Sequence, residues 1–297
     1  MKPEISVCIA TYRRPGGLNQ LLASLERLDR RTPRFEVIIV DNDVAKSAES
    51  IVDSARRSAL ATKYFVEPVK GIARARSRSV QEADAPLVAF IDDDEEADPS
   101  WLLELWRELT SRNVTGVIGR VIPRYQGGTP WRAEFLSYPR FPTGRTLEWY
   151  HTRTSNALVR RDALMQFSGP FDEAFDLTGG EDCELFERVI QAGGTFVASE
   201  TAVVYEDVPP ERVTLKRVVT NYFADGQTFG RVHYRATPLI RIAPQVLKAF
   251  MEGGLFMIAG AVYMMFDRAR GLRRLLAGVS KLGLVGSRFG VVTRKYG

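Results

Sequence analysis

Cysteine and histidine are almost missing from this 297-residue chain, with two of each. Cys8 and Cys183 lie inside apolar or motif-like segments, so a disulfide scaffold is excluded and a reducing compartment fits. His151 and His233 have neither partners nor spacing for a metal site, which leaves them as surface or loop residues. There is no Gly-x-Gly-x-x-Gly after the first apolar run and no Gly-x-x-x-x-Gly-Lys-Ser/Thr, so the dinucleotide fingerprint and the P-loop are both excluded. The N-terminal segment has a short apolar run and no small-residue cleavage pattern, and reads as a first strand rather than a signal peptide. With 45% hydrophobic and 26% charged residues the composition is that of a globular protein, neither collagenous nor disordered.

Charge is unevenly placed. Residues 212–297 hold fifteen Lys or Arg against three Asp or Glu, while residues 1–211 are net acidic. A basic, partly apolar tail on an acidic body suits an anionic surface. Within the tail, Leu247 to Phe266 is the one stretch of membrane scale, but Lys248 and Glu252 leave fourteen uninterrupted uncharged residues, short for a span. Arg268, Arg270, Arg273, Arg274 and Lys281 then alternate with Leu272, Leu275, Leu276, Val279 and Leu282, as in a basic amphipathic helix lying in a headgroup layer. Three readings stand: interfacial helices, a true span, or packing on the body or a partner. No nucleic-acid motif or stacking platform accompanies the basic residues, which argues against nucleic acid.

The first hundred residues alternate short apolar runs with helix-period stripes. Ile5 to Ala10, Phe35 to Val40, Tyr64 to Val66 and Leu87 to Ile91 read as strands. Leu18, Leu21, Leu22, Leu25 and Leu28 mark a first helix; Ala48, Ile51, Val52, Ala55 and Ala59 a second; Ile72 to Ala83 a third. Asp98 as N-cap with Pro99 behind it starts a fourth, continued by Leu102, Leu105, Trp106 and Leu109. This rhythm predicts an α/β fold with a mainly parallel, Rossmann-like sheet between helices. Beyond Val114 the pattern predicts shorter strands, a loop from Pro123 to Trp149, strands at Ser155 to Val159 and Phe196 to Glu206, and a helix from Glu181 to Ala192. A boundary is expected near Val208-Pro209-Pro210, where the charge balance reverses.

In open parallel sheets ligands collect at the carboxyl ends of the strands. Those positions hold Thr11-Tyr12-Arg13-Arg14, Asp41-Asn42-Asp43, Lys70 to Arg76, and Asp92-Asp93-Asp94. Three adjacent carboxylates repel one another, and a hard divalent ion among them relieves that repulsion; a solvated acidic loop capping the next helix is the alternative. Arg74 and Arg76 at a helix start suit a diphosphate, or a solvated basic face. Gly179-Gly180 followed by Glu181-Asp182 places carboxylates in the first helical turn, for chemistry or for capping. Trp131, Tyr138 and Trp149 of the long loop offer aromatic faces for stacking on a ligand or for packing in the core.

SVCIATYRR, EVIIVDND, GIARARS, VAFIDDDEEADPSWL and GGEDCELFERV occur in the order and near the spacing of the family 2 glycosyltransferases, which the chain resembles over roughly residues 4 to 206. VDND, EPVKGIARARS, FDEAFDLTGGED and YEDVPPERVTL are most similar to bacterial β-glucosyltransferases that extend lipid-linked repeats of succinoglycan-type exopolysaccharides. The resemblance implies a GT-A fold in residues 1–210, with a nucleotide-sugar half to about residue 112 and an acceptor half beyond, and a helical membrane-interface tail over 211–297. It implies that Thr11, Tyr12, Arg13 and Asp41 hold the nucleotide. It further implies that Arg74 or Arg76 touches base or phosphate, and that Asp92, Asp93 and Asp94 form the D-x-D motif. Asp92 would address ribose and the metal shell, and Asp94 the Mn²⁺ or Mg²⁺ itself. Asp182 matches the general base, with Glu181 beside it. A plain Q-x-x-R-W is missing, which favours transfer of a single sugar over polymerisation. The implied activity is inverting transfer of one hexose, from UDP-glucose or a similar donor, to a glycan acceptor, with a polyprenyl-diphosphate-linked one in view. Its place is the cytoplasmic face of the inner membrane. The rival readings are a catalytically silent membrane-docked or nucleotide-sugar-binding protein on this fold, and a nucleotidyl transferase. Retention of Asp182 argues against both, since binding alone needs no base.

Overall fold

The computed structural model describes residues 2–57, 60–125, 127–136 and 138–294. Its first half follows the local sequence pattern, with β1 (Ile5–Thr11), α1 (Pro15–Leu25), β2 (Phe35–Asp41), α2 (Glu49–Arg56), β3 (Thr62–Val66), α3 (Ile72–Gln81) and β4 (Leu87–Phe90). Ala59, the last position of the second helical stripe, lies outside the described residues, as do Gln126 and Ser137 of the long loop. There follow β5 (Glu95–Ala97), α4 (Trp101–Arg112), β6 (Gly116–Tyr125), β7 (Ala157–Arg160), α5 (Arg161–Met165), α6 (Glu181–Gln191) and β8 (Phe196–Val208).

Among the described residues the strands form one sheet in the order β3-β2-β1-β4-β7-β6-β8-β5. β1 to β4 are parallel, β6 is parallel to β8, and β7 and β5 run antiparallel to their neighbours. Side chains alternate across each strand, so Val7 and Ile9 face a core with Leu18, Leu21, Trp101 and Leu105. Cys8 and Ile38 face a second core with Phe90, Phe171 and Phe186 on the other side. Both faces are covered, as parallel strands require.

Two boundaries differ from the local pattern. Glu95–Ala97 pairs antiparallel with Val204 to Glu206, and the Asp98 N–H donates to the Val203 carbonyl at 3.1 Å. Asp98 is thereby held at the sheet edge, where its carboxylate accepts from the Ser100 N–H at 3.0 Å, and the helix starts at Trp101 instead of Pro99. The segment expected to be loop from Pro123 is strand to Tyr125, because pairing with Glu206 to Val208 continues that far.

A short 3₁₀ turn, Pro210–Val213, leads into α7 (Leu215–His233), α8 (Leu239–Tyr263) and α9 (Arg268–Arg288). These three helices pack through glycines. A Cβ on Gly226 would strike the Ser280 carbonyl, one on Gly283 the Phe223 carbonyl, and one on Gly278 would stand 2.8 Å from the Gly253 carbonyl. Such close approach makes one helical unit. Helix α8 has length and apolarity enough to cross a membrane, since the fourteen-residue run is extended by apolar residues before Lys248. Ile242, Val246, Ala249, Gly253 and Gly260 are nevertheless buried within the unit. Its outward row, Leu247, Met251, Leu255, Ile258 and Val262, is exposed.

Candidate active site

Because β7 runs against β4 and β6, its amino end meets the carboxyl ends of β1, β2, β4, β6 and β8 along one sheet edge. That edge carries nearly all the residues singled out from sequence. Thr11 ends β1 and donates its hydroxyl to Asp93 at 2.8 Å. Tyr12 lies between the charged heads of Arg13 and Lys70, 5.1 and 4.8 Å from its ring centre. Arg13 pairs with Asp43 at 3.1 Å. Asp41 is fully buried and accepts from the Asp43 and Ala48 N–H groups and the Tyr64 hydroxyl, so it shapes the turn after β2. Asn42 clips the next loop, donating to the Glu67 and Val69 carbonyls and accepting from the Gly71 N–H.

The start of α3 is closed by the chain's own carboxylate. Asp176 accepts from the Arg74 N–H at 3.1 Å and its Nε at 3.0 Å, and Arg74 also pairs with Glu173. Arg74, expected to face base or phosphate, is thus engaged by the chain's own carboxylates and turned away from the acidic triplet's partner, Arg76. Arg76 turns the other way, into the site, where it joins Asp92 at 2.6 Å and Glu181. Two motifs about ninety residues apart thus share one guanidinium, with Asp182 the next residue on α6. Asp182 accepts from the Cys183 N–H at 2.8 Å and the Thr154 N–H at 3.4 Å.

Three arginines stand among the carboxylates. Arg14 bridges Asp93 and Asp94 at 3.1 and 2.8 Å, and Arg212 bridges Asp94 and Glu206 at 3.0 and 3.1 Å. Burial nevertheless dominates. It pushes Asp93 up to about 6 against the pull of Arg14, Glu206 up to about 7 with Asp94 adding repulsion, and Glu181 up to about 7 despite Arg76. Glu95, buried beside Asp92, is also raised. Arg153, half-buried over the Tyr138 ring at 4.3 Å, donates to the Gly119 carbonyl at 3.0 Å, lies near Glu95 and Asp182, and is lowered by desolvation.

The local pattern did not single out Arg212, Glu206, Arg153 or Asn156. Arg212 and Glu206 flank the Pro-Pro boundary inside YEDVPPERVTL, a stretch that carried the resemblance without assigning either residue a role. Asn156 has φ +59°, accepts from the Trp101 Nε1 at 2.8 Å and donates to the Arg120 and Ala202 carbonyls, which fixes the amino end of β7. Trp149 is buried against Phe175 and Val232, Tyr138 lies under Arg153, and Trp131 is exposed. His233 is not partnerless: it stacks on Trp149 and approaches Glu187 at 3.7 Å.

The donor set fits a hard divalent ion. It is all oxygen, and Asp92 and Asp94 each meet arginine through one carboxylate oxygen. Among the described residues no three His, Cys, Asp or Glu side chains form a ready cage. That suits an ion held by one or two carboxylates and completed by substrate phosphates. A cleft of about 1130 Å³ elsewhere, between α3, α6 and the end of α7, is lined by charges already matched, such as Arg188 and Arg235 with Glu184. Asp92, Asp93, Asp94, Glu181, Asp182 and Glu206 are not part of its lining.

Comparison with known proteins agrees with this architecture. Residues 6–167 match the sequence model of glycosyl transferase family 2. The succinoglycan biosynthesis protein ExoM of Rhizobium meliloti is 30% identical, over 97% of this chain and 94% of its own. A validoxylamine A glucosyltransferase of Streptomyces hygroscopicus is 26% identical over 86% of this chain, which spans 65% of that enzyme. Among solved structures, the mannosyltransferase PcManGT from Pyrobaculum calidifontis, in complex with GDP-Man and Mn²⁺, superposes with a TM-score of 0.66 at 16% identity, covering 98% of this chain and 88% of that one. S. aureus TarS 1–349 in complex with UDP gives 0.57 at 16% identity, covering 97% and 92%.

Proposed function

The chain belongs to glycosyl transferase family 2 and carries the GT-A fold, and from that premise we propose that it moves one hexose from a UDP-sugar, UDP-glucose or a close relative, to a hydroxyl of a lipid-linked oligosaccharide in exopolysaccharide synthesis. One observation carries the reading: Asp92 to Asp94 and Glu181-Asp182 meet across Arg76 at the sheet edge.

Asp182 accepts the proton of the attacking hydroxyl, which near neutral pH is a poor nucleophile unaided. The Cys183 and Thr154 N–H groups hold its oxygens. Thr11, Tyr12, Arg13 and the turn built by Asp41 receive the nucleotide. Arg76 ties Glu181 to Asp92, so that base and donor keep a fixed relation. Asp94, with Asp92, would hold Mg²⁺ or Mn²⁺, which when bound neutralises the leaving diphosphate. Arg14 and Arg212, now on Asp94, are cations within reach of the same phosphates. One base without a covalent sugar intermediate gives a single displacement with inversion.

The tail supports a seat for this chemistry at a membrane. The exposed row of α8, with Arg241, Lys248, Arg268 and Arg270 on the same unit, supports an interfacial seat on anionic lipid at the cytoplasmic face, with α8 held sideways by α9. Calorimetric titration with UDP and Mn²⁺ tests the donor side: Asp94→Ala should abolish metal-dependent binding. Asp182→Asn should keep UDP binding while transfer falls by about 10²–10⁴. Loss of binding and turnover together in Asp182→Asn would refute the base assignment.

A further inference from the structure

We propose that the sugar ring of the acceptor seats in a pocket of about 160 Å³ between the sheet edge and α7, with Tyr125 and Tyr138 for walls and Arg217 and Asn221 for hydrogen-bond donors. The inference rests on the glycosyl-transfer reading and adds where, and by which part of the chain, the acceptor is recognised.

Position comes first. Tyr125 ends β6 and Val208 ends β8, at the same edge that carries Asp94 on β4's side. Glu206 and Arg212 form the wall shared with the carboxylates, since Arg212 touches both Glu206 and Asp94. On the other side Tyr138 lies against Arg153, which faces Asp182. A ring in this pocket stands between the residues assigned to the diphosphate and those around the base. The nucleotide residues, on β1, β2 and α3, contribute nothing to its lining.

Size and chemistry agree. The volume corresponds to about five waters, which suits a single pyranose and is too small for a nucleotide. Tyrosine faces with Leu136 and Val208 suit the C–H face of a sugar, while Asn221, Arg217 and Glu206 supply polar groups for its hydroxyl rim. The Arg217 guanidinium has no ion pair or side-chain hydrogen bond among the described residues; its backbone N–H alone is engaged, on Thr214. A cation left unpaired at the mouth of a pocket is suited to a ligand that arrives with hydroxyls and carries phosphate behind them.

The supporting frame belongs to the helical unit. Phe135, the residue before Leu136, packs with it on Val218, Leu272 and Leu276, and Glu134 pairs with Arg273 of α9 at 3.1 Å. Acceptor recognition is therefore delivered partly by α7, outside the sheet that binds the donor.

The test uses the full-length protein with UDP-glucose as donor and two acceptor probes, octyl β-glucoside and octyl β-galactoside. Arg217→Ala and Asn221→Ala, both on a partly exposed helix face, should each raise the acceptor KM about tenfold, the effect of one lost charged or paired hydrogen bond. Their UDP affinity should stay within about twofold. Asn221→Trp, which fills the pocket, should abolish transfer and leave UDP binding in place. Unchanged acceptor KM in both alanine variants, or full transfer by Asn221→Trp, would overturn the pocket assignment while leaving the transfer reading intact. Failure of the unaltered protein to bind UDP would overturn the transfer reading itself, and the pocket assignment with it.

Discussion

Arg76→Met isolates the guanidinium that joins the two carboxylate motifs. The Arg76 side chain is 10% exposed and that of Glu181 is 2% exposed. Removing one partner of such a buried pair costs about 3–5 kcal/mol, because the other charge is left without compensation. Asp92, 38% exposed, is screened by solvent and adds less than about 1 kcal/mol. At about 2–4 °C per kcal/mol for a chain approaching this size, melting should fall by about 10 °C. The loss should depend on pH. Burial raises Glu181 to about 7 in the folded state, above the ordinary value of 4.5. A raised carboxyl pKa means that its favourable contribution is full at low pH and declines as pH rises through about 7. Without Arg76 the carboxyl rises further, so the variant should be only mildly destabilised at pH 5.5 and most destabilised at pH 8.5. Calorimetric melting at both pH values, on Arg76→Met and on Arg76→Met/Glu181→Gln, measures this. The double variant should recover part of the loss at pH 8.5, since a neutral amide does not require the cation. Equal losses at the two pH values, or a double variant no better than the single, would refute the account.

Other expectations follow from geometry. Asn156→Ala leaves the Trp101 N–H and two carbonyls without partners at φ +59°, and should cost about 3–5 kcal/mol in urea unfolding. Gly226→Ala places a methyl against the Ser280 carbonyl and should destabilise the helical unit by about 1–3 kcal/mol, visible as earlier hydrogen exchange in α7 and α9 than in the sheet. Flotation on vesicles with anionic lipid should weaken with salt yet persist in part, and Ile258→Glu with Leu255→Glu should remove the persistent part. Attachment that survives both the double substitution and alkaline carbonate would count against an interfacial seat. The Cys8 thiol, pushed up to about 12 by burial, should resist a thiol reagent at pH 8 until the protein unfolds, and prompt labelling of Cys8 would contradict the packing of β1.

What the sequence disclosed, and what it hid, divides by range. Strands β1 to β4 and their helices were legible because apolar period and turn residues are local signals. Helix α6 was legible for the same reason, bracketed by Gly179-Gly180 and Gly193-Gly194. The strand Glu95–Ala97 was not, since two glutamates in an acidic run give no strand signal and its pairing is set by residues a hundred positions away. At the site, the acidic triplet and Glu181-Asp182 were visible as clusters. The partner of Arg76 was not, because only the fold brings Glu181 to it. Arg212 stood within YEDVPPERVTL, but nothing local ties it to Asp94, more than a hundred positions away. The tail was legible as amphipathic, but the glycines that lock α7, α8 and α9 have no period that separates a seam from ordinary helix interruptions.

The glycine seam also bears on how the chain is made. Helix α7 meets α9 through Gly226 and Gly283, so the unit closes only after α9 has left the ribosome. Until then α8 has emerged with both its faces bare, the inner row that α9 will cover and the outer row that stays exposed. An apolar segment of that length seeks lipid or a chaperone during synthesis. The interfacial seat proposed above would then be set by the order of emergence, before the finished chain exists to diffuse to a bilayer.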